Sequence, residues 1–168
     1  MARKTTDSRE YLLNERSGRF RGVGLGSSDA RARRKLGVTR MSANEPLAPL
    51  GRNPAELGFP PSPKDPRRIR GSYRAWRFTG VAFGAFGRRA YLMTVASGAA
   101  RTTRGITVGD PLRRVQKRYP ELKCRKAGGQ GSEYVQVSSC TGKVAPRRYV
   151  WFGRDPVHSI TVSVAPLE

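Results

Sequence analysis

Apolar residues set two periods along this chain, and the two follow one another twice in the same order. Leu112, Val115 and Tyr119 recur at helical spacing while Arg113, Arg114, Lys117 and Arg118 cover the remaining surface. That spacing predicts a short amphipathic helix ended by Pro120. Shifted by 83 residues, so that Ser27 falls on Asp110, the chain places Ala32 on Val115 and Leu36 on Tyr119. An earlier helix, stopped by Gly37, is therefore expected. After each helix the period falls to two. Tyr73 to Thr79 sets Trp76 and Phe78 against Arg77 and Thr79, and Val81 to Phe86 and Ala90 to Ser97 follow as strands. In the second half Glu133 to Ser138, Arg148 to Phe152 and Val157 to Val164 read the same way.

A glycine turn precedes each helix: Arg21-Gly22-Val23-Gly24-Leu25-Gly26-Ser27, and Arg104-Gly105-Ile106-Thr107-Val108-Gly109-Asp110-Pro111. Gly26 and Gly109 are the turn glycines, Ser27 and Asp110 the expected N-caps, and Pro111 the first helical residue. Downstream, Phe86-Gly87 leads to Met93-Thr94-Val95 as Phe152-Gly153 leads to Ile160-Thr161-Val162, with one residue inserted. These echoes predict an α+β chain of two tandem units, each a short helix packed on an antiparallel β-sheet. Residues 1–18 are expected to be a loose basic tail, 19–98 the first unit and 99–168 the second. The first unit carries a loop over 42–72 with more than half of the chain's proline, read as mobile or partner-facing. Gly128-Gly129-Gln130-Gly131 reads as a flexible connection.

With 37% hydrophobic residues in 168, the chain can bury a core. No apolar run reaches the roughly eighteen residues of a membrane-spanning helix. The net charge of +21 attracts polyanions, nucleic acid among them, and makes Arg113, Arg114, Lys117 and Arg118 candidate anion contacts. Arginine with alanine, glycine and proline is also what GC-rich coding produces, so a solvated arginine surface weighs equally with a selected anion-binding face.

Cys124 and Cys140 are the two cysteines, the second placed in an expected hairpin turn, Ser139-Cys140-Thr141-Gly142. A disulfide between them is expected, with two free thiols as the alternative. Two cysteines and one histidine fall short of a zinc set, so no metal is expected. His158, in line with the apolar Ile160, Val162 and Val164, reads as a packing position at a sheet edge. A Cys–His pair oriented by Asp155 is the weaker reading, and it needs a pocket. The glycines at 22, 24 and 26 lack the G-x-G-x-x-G spacing and the P-loop lysine, so they serve a turn and not a phosphate cradle. Trp76, Phe78, Phe83, Phe86, Tyr149, Trp151 and Phe152 are read as core and cross-strand pairs ahead of a base-stacking platform. Neither catalytic residues nor cofactors are expected.

The pattern Gly105-Ile106-x-Val108-Gly109-Asp110-x-x-x-x-Val115, with a helix leading into an antiparallel hairpin sheet, resembles the small outer-membrane-assembly lipoproteins and the tandem β-lactamase-inhibitor-like proteins. The resemblance covers about Arg19 to Val164. It implies helices on one face of an antiparallel sheet and a non-enzymatic role in binding an unidentified protein partner, in the cell envelope or outside the cell. The alternative is a basic, cytoplasmic, nucleic-acid-associated protein. The start of the chain bears on this choice: Thr5 to Glu10 is polar where a signal peptide would be apolar. Either the protein stays inside the cell or its true start is not Met1.

Overall fold

Thr94 and Thr161 face one another at the centre of a seven-stranded sheet, their hydroxyls 2.8 Å apart. They belong to β6 (Arg89–Val95) and β11 (Ser159–Ser163), antiparallel neighbours in which Met93 pairs with Val162 and Val95 with Ile160. The computed structural model describes residues 12–37, 73–78, 81–86, 89–96, 98, 100–126, 138–164 and 166. The proline-rich loop over 42–72, the Gly128–Gly131 connection and all of the expected 133–138 strand but Ser138 lie outside the described residues.

Beyond β6 the sheet continues through β5 (Val81–Phe86) to β4 (Tyr73–Phe78). Beyond β11 it continues through β10 (Arg148–Gly153) and β9 (Ser139–Ala145) to β8 (Lys123–Arg125). Every pairing in it is antiparallel. A smaller sheet runs in the order β3 (Val23–Gly24), β2 (Arg19–Phe20), β1 (Leu12–Asn14), β7 (Arg101–Thr102), with β1 and β7 parallel. Among the described residues two helices, α1 (Asp29–Leu36) and α2 (Leu112–Arg118), pack with these sheets in an α+β fold. The strands of the two halves join in one sheet, whereas the sequence assigns each helix a sheet of its own.

One core joins these parts. Phe83, Met93, Val150, Phe152 and Ile160 of the large sheet cluster with Leu13, Phe20 and Val23 of the small sheet, Ala32 of α1 and Val115 of α2. The alternation in the strands and the helical spacing direct these side chains to one interior. The expected loose tail ends early: Leu12–Asn14 is a strand, and both Leu13 and Glu15 are fully buried. Ser139–Gly142 is likewise part of β9 and not a hairpin turn, because β8, which the short period hides, pairs with it.

The two glycine turns make corresponding backbone hydrogen bonds. Gly26 and Gly109 have φ of +85° and +99°. Gly26 N donates to Ala90 O at 2.8 Å and Ala90 N to Ser27 O at 2.9 Å; Gly109 N donates to Val157 O at 2.7 Å and Val157 N to Asp110 O at 2.8 Å. Each turn is thus tied to a strand of the large sheet or to the residue leading into one. Open space surrounds the Cβ that either glycine would gain, so only the left-handed backbone resists substitution. Gly109→Ala is expected to cost about 1–2 kcal/mol in urea unfolding for that reason alone.

The caps sit one residue later than expected. Ser28, not Ser27, caps α1, accepting from Arg31 N at 3.3 Å, and Pro111 occupies the cap of α2 with no side-chain hydrogen bond. Ser27 and Asp110 instead close the preceding turns, accepting from Gly24 N at 3.1 Å and Thr107 N at 2.8 Å. The glycine turn needs one more residue before the helix, and its side chain reaches back to the turn's own amide. The amide of Leu112 is satisfied from a distance, by Asp155 Oδ1 at 3.1 Å.

Candidate functional site

The turn at Leu25–Ser28, the outer surface of α1 and the start of β6 enclose an open cleft lined by Arg19, Arg31, Arg34 and Arg89. Arg31 and Arg34 stand three apart on α1 and so point to one side of it. Arg33 points elsewhere and is held by Asp29 at 2.7 Å. Arg89 enters from β6, its Nη1 donating to Gly26 O at 3.1 Å. Among the described residues no carboxylate pairs with Arg19, Arg31 or Arg34. Past Leu25, Gly26 and Arg89 the cleft runs on to Arg147 and Arg148, beside Tyr91. Arg148 Nη1 donates to Arg147 O at 2.7 Å, while its buried Nε has no partner. Guanidinium forks around an apolar residue, Leu25, can hold carboxylate or phosphate oxygens in bidentate fashion. They supply no proton-transfer group.

The residues expected to contact anions are exposed on α2 but arranged differently. Arg114 is closed by Asp110 at 2.9 Å, and the Arg118 carbonyl accepts from Arg104 at 3.0 Å. Arg113 and Lys117 remain on the exposed face. Sequence reading singles out the outward basic face of α2. It misses the cleft at α1 because Arg89 reaches Gly26 across 63 residues.

Sequence reading also misses a buried polar clasp. Glu15 Oε1 accepts from Tyr119 Oη at 2.6 Å and from Thr103 Oγ1 at 2.5 Å, and Oε2 accepts from Thr103 N at 3.0 Å. Arg104 stacks over the Tyr119 ring, 4.4 Å from its centroid, and pairs with Glu121 at 2.7 Å. Burial, with the Glu15 hydrogen bond adding to it, pushes the Tyr119 phenol far above its ordinary range. Burial acts to raise Glu121, but its hydrogen bond to Arg104, a backbone hydrogen bond and the charges of Arg104 and Arg16 together hold the carboxyl below its usual value. This arrangement ties Glu15, just after β1, to the exit of α2.

Cys124 and Cys140 are bonded to each other across the β8–β9 pair, with Cα atoms 4.0 Å apart. That bond removes the thiol a Cys–His pair would need. His158 is exposed just before β11, so it is not the packing residue expected, and Asp155 is engaged with the Leu112 amide. Phe78, Phe83, Trp151 and Phe152 are buried, which removes them from any base-stacking platform. The side chains of Trp76 and Phe86 lie outside the described residues. Among the described residues no three His, Cys, Asp or Glu side chains form a metal-binding group, and no helix is long and apolar enough to cross a membrane.

No family model and no curated protein matches this chain. Among solved structures it is similar to the 1.5 Å crystal structure of an extracellular protein containing an SCP domain from Bacillus anthracis str. Ames. The TM-score is 0.53 at 12% identity, over 97% of this chain and 50% of that one. At that identity the likeness concerns the fold alone, and this chain spans half the length of that protein.

Proposed function

We propose that this protein is a non-enzymatic protein-binding module of the cell envelope or exterior, built from two copies of one unit of glycine turn, helix and strands. The observation that carries the binding role is the cleft at α1, where Arg19, Arg31 and Arg34 stand around Leu25 with no carboxylate partner among the described residues. The matched hydrogen bonds of the two turns, and the β6–β11 pair that sets Thr94 against its counterpart Thr161, support duplication. The Cys124–Cys140 bond supports export, since disulfides persist in oxidising compartments. The similar Bacillus anthracis protein is described as extracellular.

Nucleic-acid binding is the second reading, favoured by the charge of +21. The two separate in a titration of labelled duplex DNA, single-stranded DNA and RNA across about 50 to 200 mM salt. Under the protein-binding reading, affinity is weak, indifferent to the kind of nucleic acid, and gone at the upper end. Tight binding at the upper end with a preference for one nucleic acid would replace that reading with the second.

A further inference from the structure

The two halves differ at one decisive point. Asp110 of the second half accepts from Thr107 N through Oδ2 and holds Arg114 through Oδ1, while Asp155 takes the first helical amide, that of Leu112. The second turn and helix therefore carry their own carboxylates. At the same place the first half has Ser27, whose Oγ keeps the amide contact, to Gly24 N, and which brings no charge. Arg31, the counterpart of Arg114, consequently has no carboxylate among the described residues. Of the cleft's other arginines, Arg19 corresponds to Thr102, Arg89 to Pro156 and Arg34 to the basic Lys117. The one nearby acid on α1, Asp29, is held by Arg33 through two contacts, of 2.9 and 2.7 Å.

We infer that an acidic segment of a partner protein supplies to the first half the carboxylates that the second half supplies to itself. This rests on the protein-binding reading above. A carboxylate side chain seated beside Ser27 accepts from Arg31, as Asp110 accepts from Arg114, and further acidic residues along the segment meet Arg19, Arg34 and Arg89. Leu25, between the two stretches of the cleft, offers apolar contact that a phosphate chain would not use.

The test introduces the missing acid. Ser27→Asp places a carboxylate four residues before Arg31, the spacing of Asp110 and Arg114, and so fills the site from within. A synthetic Glu-rich peptide titrated calorimetrically into the full chain is expected to bind Ser27→Asp about tenfold more weakly than the parent protein. Arg31→Gln, which removes the receiving guanidinium without altering the turn, is expected to weaken binding to a similar degree. It serves as the independent variant should the turn not tolerate aspartate. Gln116→Glu changes net charge by the same amount on the exposed face of α2 and is expected to leave the affinity unchanged. Parent-like binding by both Ser27→Asp and Arg31→Gln, or equal weakening by Gln116→Glu, overturns the inference. That result leaves the protein-binding reading standing, whereas salt-resistant nucleic-acid binding in the earlier titration removes that reading itself.

Discussion

Replacing Glu15 with alanine is expected to destabilise the protein by about 4 kcal/mol. The carboxylate is fully buried and accepts three hydrogen bonds, from Tyr119 Oη, Thr103 Oγ1 and Thr103 N. Alanine strands the buried Tyr119 hydroxyl, gives up both contacts to the exposed Thr103 and leaves a cavity, and these losses add. Glu15→Gln keeps one acceptor and most of the volume, so about half of that loss is expected. Urea unfolding at neutral pH checks both. The same clasp sets an alkaline limit. Because the folded-state pKa of Tyr119 is raised, its contribution is complete below the unfolded-state value of 10.0 and is lost as pH climbs above it. Tyr91, also raised by burial, acts in the same direction. Tyr119→Phe should therefore flatten much, but not all, of the stability loss between neutral pH and about pH 11. An unchanged alkaline slope in that variant would show that the buried phenol is not its main source.

Breaking the Cys124–Cys140 bond, by reduction or by a double serine variant, is expected to cost about 3 kcal/mol, from the loop entropy returned to the unfolded chain. The cysteines are separated by 16 residues in sequence. For a chain of this size the loss corresponds to a fall of about 6–12 °C in Tm. The local consequence follows from topology. β8 is a three-residue strand at the edge of the sheet, paired on one side only among the described residues, and Leu122, just before it, packs over Gly142 of β9. Without the covalent link the amides of Lys123–Arg125 should lose hydrogen-exchange protection ahead of those in β10 and β11, which lie inside the sheet. Uniform loss of protection across all three strands would mean that the disulfide stabilises the chain globally and does not clamp its edge.

Sequence by itself was enough for what adjacent residues decide. Leu112, Val115 and Tyr119 declare a helix because their spacing matches its pitch, and Gly26 and Gly109 mark turns because both take a left-handed backbone. The register of the caps was off by one because Ser27 and Asp110 suit both a cap and a turn, and only the path of the chain selects between them. Tertiary structure alone decided the rest. Three apolar or polar residues at Leu12–Asn14 carry too little periodicity to announce a strand; they form one because β2 and β7 lie on either side to receive their hydrogen bonds. Glu15 is buried because Tyr119, 104 residues away, brings it a donor. The cleft exists because Arg89 arrives beside Gly26 when β6 joins the sheet. Periodicity and turn chemistry act over a few residues and are written in order along the chain. Partners for a buried carboxylate or an arginine are set by which distant segments the core brings together, and no local pattern encodes that.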